Sequence, residues 1–526
     1  TILSNMIFLN NPTYRRLLIA IAFISITIRN WDDKELLRAF RNASVSSTDN
    51  TSTSSIISDG PITTVAYAIS ITSCSHKLNP FDPAAVLKRS IELNSWPKHP
   101  KSRYASEFYV FIKTSNAKQY NHIADRCGSL LSLAGWNIIP QEEQVYQGLI
   151  KEPPESILKN NIGNDGCCGD SELIKLATYK LPHDIAVHLD LDTLVTNPFD
   201  ELYNVMHFPP DTEEGKRARQ QLVEAVAPTD LNRRSSGHPS RGSVNGTTAQ
   251  KLLSNIVVDA FYTKDYNMIS PHKEGHVEHV GVQGGFLVVR PSMLTYLKLR
   301  DMVYSGEFYG GHGGKMTGWF KSGYGKHIWG SMTIQGLLGY YFDHVDREHS
   351  VELNRCRYNN IADNARVSSF SSNAKFPRGT LIDQARNASD PRYNYKDFQC
   401  RDGRANCDDV DCQRFSIEKT RLVHYTYCKS PLKCNECNYM ETYKEVTCYA
   451  FIKEWFRVRS TLTGEDKPHM EDDAFSTNVQ WMREDGTVDV HQGNCYKEYT
   501  MGFCQGNGRH NYVSMKHRNM SLLPDN

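Results

Sequence analysis

The sequence predicts an α/β fold in which a mostly parallel sheet lies between helices. Short apolar segments of strand type alternate with helical segments along the chain, as βαβ units require. Apolar residues make up 39% of the 526 residues, which is enough for a packed interior. One apolar segment also ends in two aspartates, Asp190 and Asp192, and ligands gather at the carboxyl ends of strands in open α/β sheets.

The first half of the chain carries this alternation. Order begins at Thr64 with the strand VAYAISIT, and the helix FDPAAVLKRSIELN follows, with Asp82 as its predicted cap and Pro83 at its first position. The next predicted elements are, in order, a strand over residues 107–114, a helix around HIADRCGSLLSLAG, a strand at WNIIP, a short helix over residues 172–181 and a strand at DIAVHLDLDTLV.

A polar segment over about residues 209–250 interrupts the pattern, and its composition predicts a disordered insertion. Its arginines suggest a basic docking site, but Glu213, Glu214 and Glu224 favour a solvated loop.

The pattern resumes after the insertion. The predicted elements are a strand at VGVQGGFLVVRPS, a mobile loop over residues 310–330, a helix or buried strand end at TIQGLLGYYFDHV, the closing segment RLVHYTYC and a helix over residues 451–459. The loop is rich in Gly and Lys, but its sequence lacks the GxxxxGK[ST] order of a phosphate cradle.

The chain is therefore divided into three parts: residues 1–60, a main domain over 61–432 and a cysteine-rich appendage over 433–526. Residues 42–60 are rich in Ser and Thr and predict a flexible stem. The apolar run 17–28 follows two arginines, as in a signal peptide or a signal anchor, although a spanning helix needs about 20 apolar residues. A buried helix or strand is the alternative.

The cysteines and sequons indicate an oxidising compartment. Seven of the fourteen cysteines lie close together, at Cys400, Cys407, Cys412, Cys428, Cys434, Cys437 and Cys448. We favour disulfides over a zinc site at the C-x-x-C pair Cys434 and Cys437, because no second such pair or histidine follows at the usual spacing. Five glycosylation sequons begin at Asn42, Asn50, Asn245, Asn387 and Asn519.

We accordingly expect the lumen of the Golgi or secretory pathway, with a type II anchor near residues 17–28, and a cytoplasmic location as the alternative. The formal net charge of +1 provides no global field that would attract nucleic acid.

Asp190 and Asp192 predict a metal site. Residues two apart on a strand point to the same side, and two neighbouring carboxylates repel each other unless a cation lies between them. If the strand turns after Asp190, the second carboxylate still reaches a shared ion. Oxygen ligands suit Mg²⁺ or Mn²⁺. A chance D-x-D tripeptide is the alternative.

Four stretches in order resemble the glycosyltransferase family 8 enzymes, the glycogenin-like group. KLATYKLPHDIAVHLDLDTLVTNPFDELY resembles the family's D-x-D region, AYAISITS its first strand, GVQGGFLVVRPS the strand after the D-x-D, and HYTYCKSPLKC its late histidine motif. The likeness covers about residues 64–437. It implies a GT-A fold, a nucleotide-sugar donor that is usually UDP-linked, Mn²⁺ with Mg²⁺ as the alternative, and retention at the anomeric carbon.

The same resemblance assigns the site residues. Asp190, Asp192 and His424 would hold the metal. The donor would contact residues near the sheet edge, namely Thr72, Ser73, Lys175, Asp190, Leu191 and Lys429. Asp190, Asp192, Lys175 and Gln283 would act in catalysis, with Gln283 near the sugar. From the residues alone, His424 is a buried strand histidine and Lys175 a solvated helix lysine.

Three departures from the family pattern concern the sugar and the diphosphate. Ile334 replaces an aspartate, Gln283 replaces an asparagine, and Ser430 stands where a lysine contacts the diphosphate, with Lys429 one residue earlier. The sequence therefore predicts a metal-dependent retaining hexosyltransferase that uses a UDP-sugar, with an unidentified glycan, protein or lipid acceptor.

A catalytically inactive glycan- or protein-binding module of the same fold is the alternative. A nucleotidyltransferase is less well supported, because SCSHKLNPFDP lacks the Gly-rich basic loop that such an enzyme needs after its first strand.

Overall fold

The described residues belong to one compact unit within residues 60–526. The computed structural model describes residues 60–72, 80–114, 120–225, 248–269, 279–311, 316–363, 366–368, 398–400, 412–428, 430–434, 443–462, 503–504, 512 and 514–515. The predicted stem, the apolar run 17–28 and the five sequons lie outside them.

Strands make up the centre of this unit. In chain order they are β1 (Thr63–Ile71), β2 (Tyr104–Lys113), β3 (Asn137–Gln141), β4 (Ala186–Leu189), β5 (Thr193–Val195), β6 (Ala260–Lys264), β7 (Val282–Val289), β8 (Phe308–Tyr309), β9 (Gly318–Trp319), β10 (Ser350–Glu352), β11 (Arg366–Ser368), β12 (Phe398–Cys400) and β13 (Leu422–His424).

Helices connect and cover the strands. The α-helices are α1 (Phe81–Leu93), α2 (Tyr120–Leu133), α3 (Leu158–Asn161), α4 (Asp200–His207), α5 (Glu213–Ala225), α6 (Thr248–Leu253), α7 (Met293–Ser305), α8 (Ile334–Tyr340), α9 (Arg355–Tyr358) and α10 (Tyr443–Ser460). A run of 3₁₀ turns, Gly169–Lys180, precedes β4, and a π-helical turn, Tyr341–Val345, continues α8.

The central sheet has seven strands in the order β10-β6-β7-β4-β1-β2-β3. β1 pairs in parallel with β2 and β4, β2 with β3, and β6 with β10, whereas β7 runs antiparallel to both of its neighbours. The predicted α/β fold with a mostly parallel central sheet is thereby confirmed.

The centre of the sheet is buried on both faces. In β1, Val65, Tyr67 and Ile69 pack into one core with α1 and α4, while the alternating Ala66 and Ala68 face a second core that contains α7, α8 and the 3₁₀ segment. Such double burial explains why β1 reads as an almost continuous apolar run.

Most predicted elements occur near their expected positions, but the strand predicted at DIAVHLDLDTLV is two strands. β4 ends at Leu189, and the chain turns through residues 190–192 before β5 begins at Thr193. The turn forms because Thr193 Oγ1 donates a 2.7 Å hydrogen bond to the Asp190 carbonyl, a local bond that competes with strand pairing.

Part of the predicted disordered insertion is a helix. α5 spans Glu213–Ala225 and buries Ala218 and Leu222. The side chain of Arg219 is also buried, and its guanidinium donates to the carbonyls of Val205 and Ile256 at 3.2 and 3.0 Å. Because only a narrow side of this helix is buried, its composition is polar and led to the prediction of disorder. Residues 226–247 lie outside the described part.

The predicted mobile loop over residues 310–330 is packed where it is described. Trp319 and Tyr324 are completely buried, and the Trp319 indole donates to the Ser331 carbonyl at 2.7 Å. These two aromatic residues therefore belong to the core. Residues 312–315 are outside the described part.

Asp82 is not the cap of α1, contrary to the sequence prediction. Pro80 occupies the cap position, and Asp82 lies buried in the first turn. Its carboxylate accepts hydrogen bonds from Tyr512 Oη at 2.7 Å, Met515 N at 3.0 Å and Ser514 Oγ at 3.3 Å. Asp82 therefore fastens a segment near the C-terminus to the first helix.

Disulfides near the C-terminus are confirmed. The pairs are Cys356–Cys412, Cys428–Cys448 and Cys434–Cys504. The pairing of Cys434 removes it from the alternative zinc site with Cys437. The side chains of Cys400, Cys407 and Cys437 lie outside the described part.

None of the helices in the described ranges combines the length and the apolar character needed to cross a bilayer.

We predict that Asp82→Ala lowers the free energy of unfolding by about 2–4 kcal/mol, because three donors lose a buried charged acceptor. Denaturant unfolding measures this loss, and limited proteolysis should show earlier cleavage near residues 503–515. Asp301→Ala is the matched control, since its side chain is 70% exposed. Equal stability of the two variants would contradict the fastening role.

Candidate metal centre

The two aspartates lie at the carboxyl end of β4, at the edge of the sheet. The Asp190 amide still donates to the Gly285 carbonyl of β7 at 3.1 Å, so the backbone of Asp190 continues the ladder while Asp192 belongs to the turn. β1 runs parallel to β4, so its carboxyl end, at Ile71 and Thr72, reaches the same edge.

The pairing of β5 with β13 brings His424 to the aspartates. The two strands are antiparallel, and His424 lies opposite Thr193. The Tyr425 amide also donates to the Asp192 carbonyl at 2.8 Å, and the His424 amide to the Asn360 carbonyl at 2.9 Å. The backbone of the His424 segment is therefore held on two sides.

One potential ligand atom each from Asp190, Asp192 and His424 lies within 4.8 Å of the other two. His424 Nε2 is 3.2 Å from Asp192 Oδ1. The exposed side-chain fraction rises from 2% for His424 to 29% for Asp190 and 47% for Asp192, so the cluster opens to solvent on the Asp192 side. The structure thus brings together the three residues predicted as metal ligands.

Asn359 orients the imidazole. Its Oδ1 lies 3.2 Å from His424 Nδ1 and accepts the ring proton there, while its amide nitrogen donates to Thr263 Oγ1 at 3.1 Å. With Nδ1 as the donor, the lone pair of the neutral ring is on Nε2, the atom that faces Asp192. This tautomer suits metal coordination through Nε2.

Lys175 is a buried charge partner rather than a solvated helix lysine. Its Nζ lies 2.8 Å from Asp190 Oδ1 and 2.9 Å from Glu172 Oε2, and it donates to the Gly284 carbonyl at 3.2 Å. Burial alone would lower the pKa of Lys175, but the charges of Asp190 and Glu172 outweigh it and raise the pKa. Lys175 is therefore a fixed cation.

The pKa values of Asp190, Asp192 and His424 depend on one another because the three side chains lie close together. Burial raises the pKa of Asp190 despite the nearby charges of Lys175 and His424. The part of the Asp192 carboxylate that is removed from water would favour a higher pKa, but the charge and hydrogen bond of His424 lower the pKa. For His424, burial would lower the pKa, yet the two carboxylates raise it. The two carboxylates thus favour positive charge beside them.

Gly285 permits the close approach of these groups. A Cβ atom at this position would lie 2.4 Å from His424 Cε1 and 2.9 Å from Asp190 Oδ2. The Gly285 amide donates to Gln283 Oε1 at 2.5 Å, which folds the buried Gln283 side chain back toward the cluster. The residues therefore fit a small hard cation. The carboxylates and the imidazole are suitable ligands, and the space next to them exists because Gly285 has no side chain.

The predicted donor-binding residues are only partly described. Thr72 Oγ1 lies at the end of β1 and donates to Cys168 Sγ at 3.6 Å. Leu191 is partly buried against the core. Ser430 Oγ accepts from the Leu432 amide at 3.3 Å and so caps a short 3₁₀ turn. Ser73 and Lys429 lie outside the described residues.

Sequence reasoning missed five residues around the cluster. Gly285 had a signal, because a glycine inside a buried strand marks a close approach. Glu172 lies three residues before Lys175 in the 3₁₀ segment, and two adjacent cysteines, Cys167 and Cys168, directly precede that segment. The hydrogen bond from the Cys167 thiol lowers the pKa of Cys168 to about 7. Asn359 had no local signal, since only the fold brings it to His424.

Neither a protein-family model nor a curated protein matches the chain. Several glycosyltransferase structures are similar to it: the apo bifunctional glycosyltransferase WbbM (12% identity, TM-score 0.30, 78% of this chain and 54% of that chain), mouse xyloside xylosyltransferase 1 (9%, 0.31, 70% and 98%), and LgtC with donor and acceptor sugar analogs (11%, 0.29, 77% and 98%). The chain spans about half the length of WbbM. Because these identities and TM-scores are low, the chemistry has to come from the site's own residues.

We predict that Gly285→Ala lowers Mn²⁺ affinity at least about tenfold, because the added methyl group displaces the His424 ring from Asp190. Isothermal titration with Mn²⁺ measures the effect. Gly148→Ala is the matched control, since a Cβ there meets nothing within 4 Å. Unchanged Mn²⁺ affinity in Gly285→Ala would show that the ion binds elsewhere.

We also predict that Asn359→Leu weakens Mn²⁺ binding about 10- to 100-fold, because the His424 ring loses the acceptor that fixes its tautomer. Thr263→Val is the control: it removes the other hydrogen bond of Asn359 and leaves the acceptor of His424 in place. Similar losses in both variants would mean that packing, rather than orientation of the ring, determines the affinity.

Proposed function

We propose that this chain is a metal-dependent retaining hexosyltransferase that transfers a sugar from a UDP-sugar to a glycan, protein or lipid acceptor. The observation that carries the proposal is the meeting of Asp190, Asp192 and His424 within 4.8 Å at the carboxyl edge of the sheet. Two carboxylates and one imidazole are a ligand set for Mn²⁺, with Mg²⁺ as the alternative.

The charges around the cluster support a divalent cation. Three carboxylates, those of Asp190, Asp192 and Glu172, lie in a contact chain with one ammonium, that of Lys175. With His424 neutral, these four groups carry a net charge of two negative units, which would repel a diphosphate. A divalent ion held by Asp190, Asp192 and His424 would neutralise these two charges and so allow an anionic donor to bind.

The donor would lie along the edge formed by β1 and β4. Thr72, which directly follows β1, would contact the nucleoside, and Leu191 lies between the two aspartates of the turn. Ser73 and Lys429 remain predicted donor contacts. Ser430 has no positive charge, so Lys429 would supply the cation next to the diphosphate.

The transfer breaks the bond between the sugar C1 and the diphosphate oxygen and forms a bond from C1 to the acceptor oxygen. When bound, the metal acts as a Lewis acid on the leaving diphosphate. Lys175 holds Asp190 in position and stays protonated, so it serves as a fixed positive charge rather than as a base.

Retention would follow from attack on the face that the diphosphate leaves, with the acceptor proton passing to the departing phosphate oxygen. Ile334 cannot form a covalent sugar intermediate: it is an apolar residue, buried at the start of α8. The side-chain amide of Gln283 lies beside the cluster, where its oxygen accepts from the Gly285 amide, and it would orient the sugar by hydrogen bonding.

We also propose that the chain works in the lumen of the Golgi or secretory pathway. The three disulfides whose partners are both described are typical of an oxidising compartment. A type II anchor near residues 17–28 remains part of this proposal.

Asp192→Asn should lower metal-dependent UDP release about a hundredfold or more, because the charge of one proposed ligand is removed while its shape is kept. A screen of several UDP-sugars with Mn²⁺ measures the release and names the donor. Asp301→Asn, which changes an exposed carboxylate, is the control.

Two outcomes would contradict the proposal. Equal UDP release by Asp192→Asn and the wild type would remove the aspartate from the reaction. Calorimetric binding of UDP and Mn²⁺ without turnover of any donor would favour the inactive binding module, which the replacements at Ile334 and Ser430 suggest.

A further inference from the structure

A second group of metal-ligand atoms lies beside the candidate metal centre. Cys167 Sγ is 2.9 Å from Cys168 Sγ and 3.0 Å from Glu172 Oε1. One ligand atom from each of these residues lies within 4.8 Å of the other two. Both thiols are exposed, so an ion reaches them from solvent.

These two cysteines differ from the others. The seven other cysteines whose side chains the structure describes are all disulfide-bonded, whereas Cys167 and Cys168 are free. Adjacent Cα atoms are about 3.8 Å apart across a trans peptide, less than the roughly 4.4–6.8 Å that unstrained disulfides span. Their adjacency therefore disfavours a bond between them even in an oxidising compartment, and keeps two thiols available.

We propose that Cys167, Cys168 and Glu172 bind a soft divalent cation of the zinc type, at a site separate from the Asp190, Asp192 and His424 cluster. Thiolates select Zn²⁺, whereas the carboxylate-rich cluster suits harder ions, so ligand softness sorts the two cations. Three protein ligands leave the fourth tetrahedral position open to water or to another ligand.

The geometry requires only a small adjustment. Two sulfurs at about 2.3 Å from one tetrahedral zinc ion are roughly 3.8 Å apart, so the thiols must separate by rotating about their side-chain bonds. Both cysteines are exposed, and neither is held in a disulfide that would prevent this rotation. Binding releases the thiol protons to solvent and involves no change of oxidation state.

Glu172 connects the two sites because its two carboxylate oxygens have different partners. Its Oε1 faces Cys167 while its Oε2 holds Lys175, which in turn holds Asp190. Thr72, at the end of β1, donates to the sulfur of Cys168. The proposed zinc site therefore lies on the same rim as the proposed donor site.

The test uses the full chain under a reductant too mild to open its buried disulfides, with Cd²⁺ as the spectroscopic probe and Zn²⁺ as its competitor. We expect one equivalent of Cd²⁺ to give a thiolate charge-transfer band that Zn²⁺ removes. Cys167→Ser with Cys168→Ser should abolish the band, and Glu172→Gln should weaken Cd²⁺ binding several-fold. Glu107→Gln, a carboxylate on β2, should not change it.

Binding at the first site separates this proposal from the proposed function. The double cysteine variant should bind Mn²⁺ like the wild type, and Asp192→Asn should keep the Cd²⁺ band. A band that persists in the double variant, or none in the reduced wild type, would overturn the zinc site. If the double variant does not fold, alkylation of the wild type decides: Zn²⁺ must slow modification of both thiols, and unslowed modification refutes the site.

Discussion

The antiparallel pairing of β5 with β13 is the interaction on which the candidate site depends. It joins the residues just after the aspartates to a segment more than two hundred positions later, and its register sets His424 opposite Thr193. Neither carboxylate could meet the imidazole through local structure. Because a shift by one residue turns strand side chains to the other face, this three-residue ladder fixes both the distance and the direction of the ring.

Charge imposes a second constraint on the same place. A buried ammonium is costly unless it is paired and hydrogen-bonded, and Lys175 meets both conditions through Asp190, Glu172 and the Gly284 carbonyl. The arrangement leaves the acids in excess. The sheet edge therefore holds negative charge that attracts cations, and Gly285 supplies the space in which one could lie.

The sequence predicted the strand–helix order, the mostly parallel sheet and the aspartate pair at its edge, because apolar periodicity and the D-x-D are local signals. His424 and Lys175 were assigned to this edge only by the family resemblance. Asp82 was misjudged because its partners, Tyr512 and Met515, are distant in sequence. α5 was missed because its buried side is narrow within a polar composition. Asn359 could not be found, since only the pairing of distant segments gives it a role.

The hydrogen bonds from Tyr512, Ser514 and Met515 to Asp82 of α1 also affect folding during synthesis on the ribosome. At the usual synthesis rate, residue 515 follows residue 82 by roughly 20–90 s. During that interval the first helix can pack on the nascent sheet, but its buried carboxylate has none of the three donors it meets in the finished chain. The first helix therefore gains these three hydrogen bonds only after residues 512–515 have been translated, and until then its packing is incomplete.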